Sequence, residues 1–194
     1  MGQPYSMEAL KAQAVAAYTY LQYQYSIGVK APWAPTKYAS SKAINAVKAV
    51  DGVKMTYNGK PIYAAYFAAS PGVTDSNANV FGRSLPYLVP VDSSIDKTYW
   101  KYKAETVLSA ADFKSQVNGL GVTLPDDNPA SWVSITHDAD VWPESYPDIG
   151  FVRSVTIGGQ SYSGTKIQDV LGLRSHCYTI RYVAESNAFT IITL

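Results

Sequence analysis

The chain has 194 residues, 47% hydrophobic and 16% charged, long and apolar enough to bury a core rather than remain disordered. Sixteen basic and 15 acidic residues leave a formal net charge of +1, which removes the electrostatic case for nucleic acid as a partner. The single cysteine, Cys177, excludes an internal disulfide, and no stretch reads as a membrane span or a signal peptide.

Residues Ser6 to Ala17 read as the opening of a helix. Ala, Leu, Lys, Gln and Glu are strong helix formers, and Ser6 is a good N-cap. Met7, Leu10, Ala14, Ala17 and Leu21 recur at helical spacing, which predicts a helix from Met7 to about Tyr25, with Gly28 as its stop. Glu8 stands in the first turn, off that stripe. By residue chemistry it is either an acid complementing the helix dipole or a carboxylate facing a cleft.

Val29 to Tyr38, with Pro32, Trp33 and Pro35, reads as a loop. A second helix is expected from Ser40 or Ser41 to Asp51-Gly52. Val53 to Tyr57 and Ile62 to Ala69 flank Asn58-Gly59, the preferred pair for a type I′ turn, and predict a hairpin. Pro61 places its second strand at an edge. Ser70-Pro71-Gly72-Val73-Thr74-Asp75 follows as a polar loop, either an ordinary turn or a ligand site.

Lys97 to Tyr102 reads as extended or turn-like around Trp100, and Ser109 caps a helix that ends near Asn118-Gly119. Val133 to Ile135, Phe151 to Ile157, Tyr178 to Val183 and Ala188 to Leu194 read as strands. Gly158-Gly159 marks a hairpin turn, and Thr165 to Leu171 a short helix stopped by Gly172.

Chemistry-bearing clusters are sparse. His176 and Cys177 are adjacent and point to opposite faces of a strand, so they do not readily share a metal. His137-Asp138-Ala139-Asp140 reads as a solvated acidic loop, with a weak cation site as the alternative. No nucleophile elbow and no phosphate-binding glycine loop is present. Sixteen tyrosines suit either half-buried strands or sugar contacts.

Met-Glu-Ala-Leu-Lys-Ala-Gln-Ala-Val-Ala-Ala-Tyr-Thr-Tyr, Met7 to Tyr20, resembles the signature of the stage II sporulation protein D family, also called the amidase-enhancer family. That family usually has Arg where this chain has Tyr18. Further matches are Ser70 to Asp75 (the family's Ser-Gly-Gly-x-Thr-Glu), Val80-Phe81-Gly82, Pro86-Tyr87-Leu88, Val155 to Gly159, Ser163-Gly164 and Leu171 to Ser175. The resemblance covers most of 6–96 and 151–194. It implies further segments, one before Glu8 and one after Leu194, that this sequence does not contain.

The expected architecture is α+β: mainly antiparallel sheets with a few helices, in two lobes, 1–96 and 97–194, with a cleft. The resemblance implies a peptidoglycan lytic transglycosylase, in which the catalytic carboxyl falls on Glu8. One carboxyl protonates the glycosidic oxygen, then helps the muramyl C6 hydroxyl attack C1 to give a 1,6-anhydro end. Ordinary glycosidases generally use two carboxylates. The alternative is a non-catalytic wall-binding module that enhances a partner amidase. The glycan-binding residues implied are Tyr66, Ser70, Thr74, Asp75 and Tyr87. No metal and no cofactor is expected. The expected partners are peptidoglycan glycan strands and a cell-wall amidase, and the place is extracytoplasmic, with membrane contact left to a segment outside this chain.

Overall fold

A computed structural model of the chain describes residues 5–30, 39–99, 102–137 and 149–194. The Val29 to Tyr38 loop, the Trp100 turn and Asp138 to Asp140 therefore lie wholly or partly outside the described residues. The chain divides into two compact units, Met1–Ala68 and Ala69–Leu194.

The first unit is built on helix α1, Met7–Ser26. It starts where the sequence predicts, because the Ser6 hydroxyl accepts the Ala9 N–H at 3.1 Å. Helix α2, Ser41–Ala49, packs on it, and the Ser40 hydroxyl caps it the same way. Strands β1, Thr56–Tyr57, and β2, Lys60–Pro61, pair around Asn58-Gly59, both at positive φ as a type I′ turn requires. Thr19 ties the hairpin to the helix: its buried hydroxyl donates to the Val15 carbonyl at 2.7 Å and accepts the Met55 N–H at 2.9 Å. Tyr63 packs its ring against Tyr20 and Tyr23.

The hairpin is much shorter than expected. Beyond Ile62, whose N–H donates to the Met55 carbonyl, 63–69 joins no strand among the described residues, and Ala65 turns back to donate to the Tyr63 carbonyl. Apolar and aromatic residues form a strand only where a neighbouring backbone completes the ladder.

The second unit carries α3, Asn77–Phe81; β3, Ala104–Ser109; α4, Ala110–Val117; β4, Val133–His137; β5, Gly150–Ile157; β6, Gln160–Ser163; α5, Gly164–Leu171; β7, Cys177–Val183; and β8, Ala188–Thr193. One antiparallel sheet runs β3-β8-β7-β5-β4, with β6 also paired to β5. Its core stacks Phe113 of α4 on Phe189 of β8 at 4.2 Å, with Trp132, Val155, Ile157, Ile167 and Tyr178 around them. The expectation of antiparallel sheet with a few helices is met. Strand β3 escaped the sequence reading: it is an edge strand with a largely exposed face, specified by its register against β8.

Strand β5 changes partner part-way along. Gly150 and Phe151 pair with β7, whereas Ser154 to Ile157 pair with β6. At the hand-over the Val152 N–H donates to the His176 carbonyl at 2.8 Å. Helix α5 starts against the same spot: a Cβ on Gly164 would lie 2.0 Å from the Val152 carbonyl oxygen. The Tyr178 hydroxyl also donates to the Gly164 carbonyl at 3.1 Å. Only glycine permits this approach. Gly164→Ala should therefore lower the unfolding free energy by about 3 kcal/mol, the upper range for overpacking against backbone, as read by urea denaturation at constant m-value.

Candidate functional site

The sequence-predicted residues fall on both units. Glu8 and Tyr66 belong to the first; Ser70, Thr74, Asp75 and Tyr87 belong to the second. Glu8 sits in the first turn of α1. Its side chain is 79% exposed, and Oε1 accepts a hydrogen bond from Lys11 Nζ at 2.8 Å. Tyr66 is exposed in the irregular stretch after the hairpin.

In the second unit, residues 70–96 close on themselves. Asp96 Oδ2 accepts the Ser70 N–H, the Ser70 hydroxyl and the Ser93 hydroxyl, each at 2.8 Å. Burial pushes the Asp96 carboxyl up, but these bonds outweigh it and hold the group below the usual carboxylate range. Ser70 is buried, and its oxygen also accepts the Gly72 N–H. Thr74 donates its N–H to the Val91 carbonyl at 2.9 Å, and its hydroxyl accepts the Val91 N–H at 3.0 Å. The Asn77 N–H donates to the Leu88 carbonyl, which places Tyr87 beside this closure. Ser76 caps α3, and Gly82, at positive φ, ends it.

Asp75 fastens this segment to the sheet. Its side chain is only 4% exposed and both oxygens are engaged. Arg153 of β5 grips it with two nitrogens, Nη1 at 2.7 Å from Oδ2 and Nη2 at 3.2 Å from Oδ1. His176, just before β7, donates from Nε2 to Oδ2 at 3.0 Å. Asn79 and the Ser76 N–H bond to Oδ1. The His176 ring stacks on buried Phe151 at 4.9 Å, and the Arg153 guanidinium lies 5.8 Å from the same ring. Burial pushes the Asp75 carboxyl up, yet the bonds from His176, Arg153, Asn79 and Ser76 outweigh it and hold it well below the usual range.

Sequence reasoning missed Arg153 and the role of His176. The available signal was one arginine inside an otherwise apolar and hydroxyl-bearing strand, Phe151 to Ile157. Cys177 is fully buried, and burial, aided by the Asp75 charge, pushes its thiol up to about 12, so it stays neutral. His137 donates from Nε2 to the Tyr178 carbonyl at 2.9 Å. Among the described residues no group of three or more His, Cys, Asp or Glu side chains could hold a metal, and no helix is long and apolar enough to cross a membrane.

The depressed carboxyl of Asp75 has a pH signature. A group whose folded-state pKa lies below its unfolded value stabilises the fold above that unfolded value, about 4 for Asp. The stabilisation is lost as pH falls below it. Asp75→Asn should cost about 3 kcal/mol at neutral pH, as expected for breaking a buried ion pair. The variant's stability should also depend less on pH below about 4 than that of the wild type. Urea denaturation of both proteins at pH 7 and at pH 3 measures the difference.

No family model matches the chain. It is 29% identical to stage II sporulation protein D of Bacillus subtilis (strain 168) over 90% of its own length and 55% of that protein. It is 29% identical to stage II sporulation protein D of Bacillus amyloliquefaciens, over 87% of its length and 53% of that protein. The amidase enhancer of Bacillus subtilis (strain 168) is 30% identical over 72% of this chain and 19% of that protein. The chain thus spans about half the length of the two sporulation proteins, and less of the amidase enhancer. Over most of its residues it bears a family-level resemblance to the stage II sporulation protein D and amidase-enhancer proteins.

Proposed function

We propose that the chain is a peptidoglycan-binding module that enhances a partner cell-wall amidase, acting outside the cytoplasm. The observation that carries this reading is the state of Glu8. Its side chain is 79% exposed and hydrogen-bonded to Lys11, an open surface setting rather than a site that excludes water from a reacting sugar. The likeness to a protein named amidase enhancer supports the partner. A net charge of +1 gives little long-range attraction to an anionic ligand, so in this reading ring contacts rather than overall charge hold the glycan. In this reading Tyr66 and Tyr87 offer ring faces to the sugars.

A second reading has its own support. Glu8 stands directly behind the closed Ser6 cap, at the position to which the resemblance assigns a catalytic acid. In that case the chain is a lytic transglycosylase, and closure over the glycan would have to strip water from Glu8.

Mass spectrometry of purified glycan strands separates the two. Incubated with wild type or with Glu8→Gln, the strands should carry no new 1,6-anhydro ends, and on intact peptidoglycan both proteins should raise the rate of an added amidase. Anhydro ends formed by wild type and absent with Glu8→Gln would establish the second reading instead. Tyr87→Ala should weaken glycan binding about tenfold, the worth of one aromatic contact, with little change between low and high salt in titration calorimetry.

A further inference from the structure

In the Ser70 to Asp75 stretch, which the resemblance implies for glycan binding, the side-chain oxygens already have partners within the protein. Ser70 and Thr74 spend hydroxyl bonds on closing 70–96, and both oxygens of Asp75 lie within hydrogen-bond distance of Arg153, His176, Asn79 and the Ser76 amide. The fastening also joins distant parts of the chain. Arg153 is 78 residues from Asp75, and His176 is 101. Both cluster at the hand-over of β5 from β7 to β6, where Phe151 backs the imidazole ring.

We propose that Asp75 is a positioning residue for glycan binding: through Arg153 and His176 it pins segment 70–96 to the sheet and so sets Tyr87 and its neighbours for the strand. This rests on the glycan-binding reading above. The chemistry fits a latch better than a contact. A carboxylate that already accepts a bidentate guanidinium and an imidazole N–H has little capacity left for a sugar hydroxyl. Arginine supplies two parallel donors that lysine does not, so the geometry depends on the fork as well as the charge.

The test measures glycan affinity and backbone hydrogen exchange on the same proteins: wild type, Asp75→Asn, Arg153→Lys and the double variant. In Asp75→Asn, amides of 70–96 should exchange about 100-fold faster, the cost of losing a buried pair. Glycan affinity should fall about tenfold at a temperature where the protein is still folded. Arg153→Lys should produce both changes from the opposite side of the pair. The double variant should bind no worse than either single one, since both remove one interaction. In the wild type, bound glycan should slow exchange across 70–96. If affinity falls while exchange in 70–96 stays as in wild type, Asp75 touches sugar itself and the proposal is wrong. Faster exchange with unchanged affinity would make the latch purely structural and overturn it equally. A wild type that binds no glycan overturns the functional reading and this proposal together, whereas failure in the variants alone overturns only the proposal.

Discussion

The second unit depends on one buried carboxylate. Asp75 links the polar segment that follows residue 69 to a sheet whose strands come from the far end of the chain, and it does so with a bidentate arginine and a histidine. Burying a charge is costly, and a buried pair is often no better for stability than apolar packing. Here the cost is offset by saturation: each carboxylate oxygen has at least two partners, and the cationic side rests on an aromatic ring. What the pair supplies is register. A hydrophobic contact would allow the segment to slide, while two fixed donors meeting two fixed acceptors allow a single seating.

The sheet supplies the place for that contact. Strand β5 carries Arg153 between the residues that pair with β7, Gly150 and Phe151, and those that pair with β6, from Ser154 on, and it is the side chain, projecting out of the sheet, that meets Asp75. Gly164 completes the arrangement, because its missing side chain lets α5 begin directly on Val152. The core built by Phe113, Phe189 and Trp132 gives the sheet the rigidity against which the latch can hold a surface segment.

The first unit is organised differently. Among its described residues only Leu10, Thr19, Ala46 and Ala64 are buried, so its order leans on capping, on the Thr19 hydroxyl and on the rings of Tyr20, Tyr23 and Tyr63. A thin core of that kind leaves α1 with much of its surface in water, Glu8 included.

The sequence by itself determined the features that arise within a few residues. The caps at Ser6, Ser40 and Ser109 each bond three residues ahead, and the turns at Asn58-Gly59 and Gly158-Gly159 follow from which residues tolerate positive φ. The α1 motif also carried the family resemblance. Tertiary structure alone decided three things: that 63–69 joins no strand among the described residues, that β3 exists as an edge, and that Asp75 is bound by Arg153 and His176. Local propensity reads interactions with neighbours along the chain, whereas a strand needs a second backbone and an ion pair needs a second side chain. Those partners lie up to 101 residues away, where no periodicity or spacing rule reaches.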